Sequence, residues 1–449
     1  MIQLSGIFNK NKSIKFSDDR KELLIGLFSE LIMESLRDPN IDSIENISTE
    51  AINWLRKQST EKIILSLEPK ELECPVCKNK MIIKDKKQKI IYGLSTYKID
   101  RRNFHCDTCD HYIRPLDNVL NCVGHYTLEL RKSMLLLGQR LPFEEASIFL
   151  KELLGISVSH KTIRELTEKT GYRLNSDEEK RIEELVNENG QIKDAIVENR
   201  NRKIIPGTAY MELDGCMVQT REDGWKEARN GIIFSENNVT QKDKHHIKII
   251  DKKCFSEFNN ENNSLDNFKK RATQEAWDFG FHRYKNHVII GDGAIYIWDY
   301  ASMHHPTAIQ ILDYYHASEY LGNAISSLNL EDSDENKLIK NTLFLKLESG
   351  KIKSILAWLQ QQKITEQVEN CIRYYDKNKE RMQYGKYKKM ELNVGSGAIE
   401  STHKVLVQSR MKQAGMRWGK DNIQSIVALR ARYLSNEWDY VVDNYLKVA

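Results

Sequence analysis

The chain has 449 residues, 40% hydrophobic and 29% charged, which is too long for one ordinary core and suits two or three domains. No run reaches the roughly 18 apolar residues of a membrane span, and the amino-terminal MIQLSGIFNKNKSIKF lacks an apolar signal core, so a cytoplasmic protein is expected. A net charge of only +4 excludes a chain that coats polyanions along its whole length.

Residues 1–70 form an amino-terminal helical region. DRKELLIGLFSELIMESL carries apolar residues at helical spacing, and STEAINWLRK offers Ser48 or Thr49 as an N-cap, so two helices are expected and no chemistry. Residues 71–125 hold two C-x-x-C pairs, Cys74/Cys77 and Cys106/Cys109, in the knuckles ECPVC and FHCDTC. The segment between them is rich in Ile, Tyr and Thr and reads as strands. Two knuckles joined by a hairpin make a zinc ribbon, because four thiolates match a tetrahedral, structural Zn²⁺. His105 stands beside Cys106 as an alternative ligand. The remaining cysteines, Cys122, Cys216, Cys254 and Cys371, are scattered, which fits a reducing compartment better than a disulfide framework.

Residues 126–174 read as three helices, with Gly155 in the last turn and Ser159 as an N-cap. This is the outline of a helix-turn-helix, whose second helix would offer His160, Lys161 and Arg164 to a DNA groove. Residues 175–200 read as an acidic helical linker, since 175–199 holds eight acidic residues against three basic ones.

From 201 to 328 the expected order is three strands, a helix, a strand, a helix: GTAYMELDGCMVQT, WKEARNGIIFSEN and HHIKIIDKKCFS, then LDNFKKRATQEAWDFG, HVIIGDG and AIQILDYYHASEYLGNAI. Three antiparallel strands followed by a parallel crossover describe an RNase H-like α/β domain. Asp214 falls inside an apolar strand, where a carboxylate without a partner is costly. Asp292 ends the strand VIIG, where open α/β sheets place ligands. Residues 329–392 read as an all-α insertion, ending in an aromatic and basic patch that includes Arg373, Tyr374, Tyr375, Arg381, Tyr384 and Tyr387. Such a patch suits stacking on unpaired bases or, as readily, a tyrosine core beneath a solvated face.

Residues 393–449 complete the domain. In NVGSGAIESTHKVLVQSRMKQAGMRWGK a single glutamate, Glu400, opens a basic helix after a glycine-rich turn. From Ile372 to Tyr433 there are 14 Lys and Arg against 5 Asp and Glu, which points to a polyanion or a solvated face in equal measure. Asp214, Asp292 and Glu400 are the expected catalytic set. Converging carboxylates hold two Mg²⁺ ions, with Mn²⁺ as a substitute, for displacement at a phosphodiester. Asp313 and His316 are expected to support that site or position DNA, or, as readily, to serve a structural role. Arg381, Arg410, Lys412, Arg417 and Lys420 are expected phosphate contacts.

GDGAIYIWDYA, ILDYYHASEYL, NKERMQYGKY, GSGAIEST and RMKQAGMRW together resemble insertion-sequence transposases of the ISKra type, in the Mutator-like DDE group. The resemblance runs from the cysteine knuckles to LRARYLSNEWD. It implies an acidic triad at Asp214, Asp292 and Glu400, an x-x-H element at Asp313 and His316, and a helical insertion before the glutamate. It also implies metal-dependent cleavage and strand transfer of DNA at terminal inverted repeats, with target DNA as second substrate. The expected protein is a homodimer or larger homo-oligomer, bacterial in type and associated with the nucleoid. The expected fold class is α+β multidomain: zinc ribbon and helix-turn-helix first, then an RNase H-like α/β catalytic domain interrupted by an all-α insertion. Competing expectations are a DNA-binding relative without catalysis and a related RNase H-like nuclease.

Overall fold

The computed structural model describes residues 18–37, 40–120, 124–197, 203–241, 247–258 and 264–447. Cys122, the end of the acidic stretch, and His245 and His246 of the third expected strand lie outside the described residues. The chain divides into two compact units, Met1–Leu130 and Arg131–Val448. Among the described residues no helix is long and apolar enough to cross a membrane.

The first unit opens with α1 (Asp18–Ser35) and α2 (Ile41–Ser66). Asn40 caps α2, its side chain accepting the Ser43 N–H. The helix therefore starts well ahead of Ser48 and Thr49, and the Ser48 hydroxyl instead donates to the Ile44 carbonyl one turn back. β1 (Ile82–Tyr92) and β2 (Thr96–Cys106) form an antiparallel hairpin, and β3 (His111–Ile113) pairs with the end of β2. α3 (Pro115–Leu120) follows. Ile91, Tyr97, Ile99 and Leu116 bury one face of the hairpin, with Ile64 of α2 packed against them. Glu61 and Glu68 of the same helical arm accept the backbone N–H groups of Lys98 and Arg102.

The second unit, from Arg131, holds all but the first residues of α4 (Leu128–Arg140), then α5 (Phe143–Leu154), α6 (His160–Leu185) and α7 (Asp194–Val197). Gly155 ends α5 in the left-handed region, φ 66°, and Ser159 caps α6 by accepting the Thr162 N–H. The helix expected to stop at Leu174 runs on to Leu185 without a break.

A five-stranded mixed sheet forms the centre. Its strands are β4 (Ile205–Gln219), β5 (Trp225–Ser235), β8 (Lys252–Phe258), β9 (Tyr284–Gly291) and β10 (Ile309–Leu312), in the order β10-β9-β4-β5-β8. β4, β5 and β8 are antiparallel, while β9 and β10 run parallel to β4. The third expected strand is displaced: Ile247–Ile249 (β7) leaves the sheet to pair with Val239–Gln241 (β6), and the sheet strand begins only at Lys252. α8 (Ser264–Phe279) links β8 to β9, and α9 (Ile295–His304) links β9 to β10. α10 (Tyr314–Ser327), α11 (Asp334–Glu348), α12 (Ile352–Leu359), α13 (Glu366–Asn378) and α14 (Tyr384–Lys389) follow. α15 (Gly397–His403) leads through a π-helical turn, Lys404–Gln408, into α16 (Ser409–Met411). That wide turn frees carbonyls, and Arg430 donates to two of them, Leu406 O at 2.6 Å and Val405 O. α17 (Lys420–Leu434) and α18 (Trp438–Val441) close the unit.

A buried ion network ties α6, α8, β8 and α17 together. Arg271 donates to Glu178 at 2.6 Å and Glu257 at 2.9 Å. Arg432 donates to Glu178 at 2.6 Å, Glu275 at 2.5 Å and Glu437 at 2.8 Å. Within the acidic stretch Glu178 turns inward because two arginines from distant elements meet it. Replacing Arg432 with Met strands Glu275, which is 0% exposed. Removing one partner of a buried pair costs about 3–5 kcal/mol, so urea titration of Arg432→Met is expected to show a loss of that size, partly recovered by adding Glu275→Gln.

Candidate functional site

Parallel register sets three acids side by side. Leu213 of β4 is level with Gly291 of β9, and Gly291 is level with Leu312 of β10. The next residue in each strand direction is an aspartate: Asp214, Asp292 and Asp313. Neighbouring strands lie about 4.8 Å apart, so the three form a row across the carboxyl ends of adjacent strands. Asp292 sits in a tight turn in which its Oδ1 accepts the Ala294 N–H at 2.9 Å and Tyr374 Oη donates to its carbonyl at 2.5 Å. Gly293 permits that turn: its φ is +102°, and a Cβ there would stand 2.7 Å from the Tyr374 ring.

The glutamate helix is fixed by side chains of the sheet. Even-numbered residues of β4 face residues 393–403. The Asn393 N–H donates to Tyr210 Oη at 3.2 Å, the Ile399 N–H donates to Glu212 Oε2 at 2.8 Å, and His403 Nδ1 lies 3.5 Å from Asp214 Oδ2. Asp313 caps α10 and also reaches the glycine-rich turn, accepting from Tyr315 N at 3.3 Å, His316 N at 3.0 Å, His316 Nδ1 at 2.8 Å and Ser396 N at 2.9 Å. Glu400 itself is exposed, with Ser396 Oγ 3.5 Å from its Oε1.

The electrostatics follow from this crowding. Burial, and then the Asp292 charge, push the Asp214 carboxyl up to about 6. Burial pushes Glu212 up to about 8, with Asp313 and Glu400 adding to it against the Ile399 N–H. Burial works in the same direction on Asp313, but its bonds from His316 and Ser396 outweigh it and hold the group below the usual carboxylate range. The hydrogen bond to Asp313 raises His316 to about 9, with Asp292 and Asp214 contributing, so a cationic imidazolium faces the row. Burial lowers His403 to about 4, leaving it neutral beside Asp214.

Asp214, Asp292, Asp313 and His316 are therefore brought together, and Glu400 stands on the rim, close enough for its charge to reach Glu212. Among the described residues only the four cysteines draw three or more ligating atoms within 4.8 Å of one another. Sequence reasoning missed Glu212 and His403. Both were accessible: Glu212 shares the face of Asp214 by strand alternation, and His403 lies three residues beyond Glu400 on one helical face.

Several expected DNA contacts are corrected. Arg410 is 1% exposed, donates to the Gly138 carbonyl and lies between the Phe143 and Trp418 rings. Arg381 is half-buried, donates to Gln310 Oε1 at 2.8 Å and covers the Trp298 ring. The tyrosines of the aromatic patch are core: Tyr375, Tyr384 and Tyr387 are buried and donate to the carbonyls of Ala317, Leu312 and Gln310, and Tyr374 stacks on Tyr320 with ring centres 4.0 Å apart. His160, Lys161 and Arg164 are exposed on the first turn of α6, and Lys412 and Arg417 are exposed after α15. Lys420 is half-exposed, 3.7 Å from Asp223.

In the first unit Cys74, Cys77, Cys106 and Cys109 form one cluster, with Sγ–Sγ separations of 3.5 Å (Cys74–Cys109) and 3.4 Å (Cys77–Cys106). Four thiols converging on one point fit a structural zinc ion. His105 is not part of it: its ring nitrogens meet Asp107 at 2.9 Å and Asp110 at 2.7 Å.

No family model matches the chain, and no curated protein matches it.

Metal analysis of the purified protein is expected to find one zinc ion per chain, lost in Cys77→Ser with unfolding of the hairpin. Glu212 holds in the folded state a proton that the unfolded chain releases between pH of about 4.5 and 8, so its stabilising contribution falls as pH rises through that window. Glu212→Gln keeps an acceptor for the Ile399 N–H and removes this loss. Its melting temperature is expected to exceed the parent's by a few degrees at pH of about 8.5 and by much less at pH of about 5.

Proposed function

We propose that the chain is a DDE transposase that cleaves DNA at terminal inverted repeats and joins the freed end to target DNA. The observation that carries this reading is the level row of Asp214 and Asp292 on adjacent parallel strands, with Glu400 held over the same sheet edge by Glu212 and Asp313. The strand order β10-β9-β4-β5-β8, with three antiparallel strands leading into a parallel crossover, supports an RNase H-like domain. We read α11–α14, between the second acid and the third, as its helical insertion.

The pairing of Asp214 with Asp292 supports a site for divalent cations. Asp214 is raised by burial and by Asp292, the repulsion a cation between them relieves. Asp214, Asp292 and Glu400 would hold two Mg²⁺ ions, which when bound supply Lewis-acid activation of the attacking oxygen and charge relief on the leaving one. In the first step water attacks phosphorus and the P–O3′ bond breaks, the attacking water giving its proton to solvent and the departing 3′-oxygen taking one from it to become a hydroxyl. In the second the freed 3′-hydroxyl attacks a target phosphodiester and displaces its 3′-oxygen. The chain's own groups orient these in-line displacements. The His316 imidazolium offers positive charge beside the row, and His403 stays neutral against Asp214. Lys412 and Arg417 are placed to meet the DNA backbone, as are His160, Lys161 and Arg164 if α5 and α6 act as a helix-turn-helix.

The test is nicking of labelled DNA carrying the repeats that flank the gene, in Mg²⁺ or Mn²⁺. Wild type is expected to nick at the repeat end, and Glu400→Gln and Asp214→Asn to lose at least about a hundredfold in rate with DNA binding retained. Equal nicking by parent and Glu400→Gln would remove Glu400 from the site. Binding without nicking by any of them would remove the enzyme.

A further inference from the structure

The amino-terminal helix α1 leaves bare a set of large apolar side chains that a solvated helix has no reason to carry. Leu23, Leu27 and Leu31 are 63%, 57% and 45% exposed, although α1 packs on α2 and buries Ile32. The exposed leucines follow one another at i, i+4 and i+8, with Arg20 and Glu34 as exposed neighbours at the two ends. At about 100° per residue these five positions fall within an arc of roughly 80°. Ile32, which faces the protein, lies roughly 140° away from Leu27 on the same wheel.

The order along this stripe is basic, Leu, Leu, Leu, acidic, and it is symmetric about Leu27. A second copy of α1 laid antiparallel with a two-fold axis at Leu27 sets Leu27 on Leu27 of the other copy. It sets Leu23 against Leu31 and Arg20 against Glu34, twice over. A self-complementary patch of this kind is what an isologous dimer requires. A parallel or unrelated apolar partner makes no use of the charge order.

We propose that the α1–α2 hairpin is a homodimerisation element, formed by antiparallel α1–α1 contact about Leu27. The inference stands on the first unit alone and does not depend on the reaction proposed above. It assigns a role to a segment for which the sequence motifs offer none.

The test is sedimentation velocity of the full-length, zinc-loaded protein without DNA. Wild type is expected to be a dimer at micromolar concentration, and Leu27→Arg to be monomeric with its dissociation constant raised at least about a hundredfold. Arg20→Glu alone, which places two acids together, is expected to weaken the dimer about tenfold, as is Glu34→Arg alone, and the double exchange Arg20→Glu/Glu34→Arg to restore it. All these positions are exposed, so folding measured by circular dichroism is expected to be unchanged. A monomeric wild type overturns the proposal, as does a dimer indifferent to Leu27→Arg. A double exchange that weakens the dimer further overturns the antiparallel register. Binding of a monomeric wild type to anionic phospholipid vesicles, lost in Leu27→Arg, would assign the stripe to a lipid surface instead.

Discussion

The placement of the glutamate helix depends on two carboxylates that are out of contact with water. Residues 392–396 make no strand and no helix, so their backbone groups must find partners elsewhere. Asp313 takes the Ser396 N–H, Glu212 takes the Ile399 N–H, and the Tyr314 N–H returns a bond to the Val394 carbonyl. The two acids meet the same demand with opposite charge states. Asp313 collects four donors and stays ionised, whereas Glu212 collects far fewer, keeps one oxygen without a partner and holds its proton. Had both been ionised, the Glu212 charge, with one oxygen unpartnered, would have faced the Asp313 anion. One acid made neutral allows the other to remain an anion, which in turn holds His316 as a cation over the strand ends.

Much of this was legible in the sequence. The alternation through β4 and β5, the apolar run of β9 and the two C-x-x-C knuckles each carry a local signal, and each sits where that signal predicts. What escaped was decided by distant partners. The third strand is displaced because IKI pairs with Val239–Gln241, a partner that its own sequence does not reveal. Tyr375, Tyr384 and Tyr387 could be read as a stacking surface or as core, because composition does not say which way a ring points; their hydroxyls find carbonyls in β10 and α10. Arg410 looked like a phosphate contact for the same reason, and two aromatic rings enclose it. Glu212 is the instructive miss. It lies two residues from an acid already singled out, on the same face, and the apolar residues around it hid it.

The ion network has the same character on a larger scale. Residues 175–199 hold eight acidic residues, and those among the described residues are exposed except Glu178. Glu178 is the exception because Arg271 and Arg432 both reach it. Neither arginine is a neighbour in sequence, and local pattern says nothing about either. The network converts a stretch that looks like a spacer into part of the wall of the central unit.

One consequence concerns how motion travels. α6 is a single rod of 26 residues, about 39 Å long at 1.5 Å per residue. Its first turn presents His160, Lys161 and Arg164 to solvent, and Glu178, further along, is clamped by two arginines. A straight helix without Pro or an internal break has no joint in which to absorb a tilt. The helix is also buried along its length, at Ile163, Thr167, Thr170, Gly171, Leu174, Glu178 and Ile182, so its exposed first turn and its arginine-clamped part belong to one continuous, packed rod.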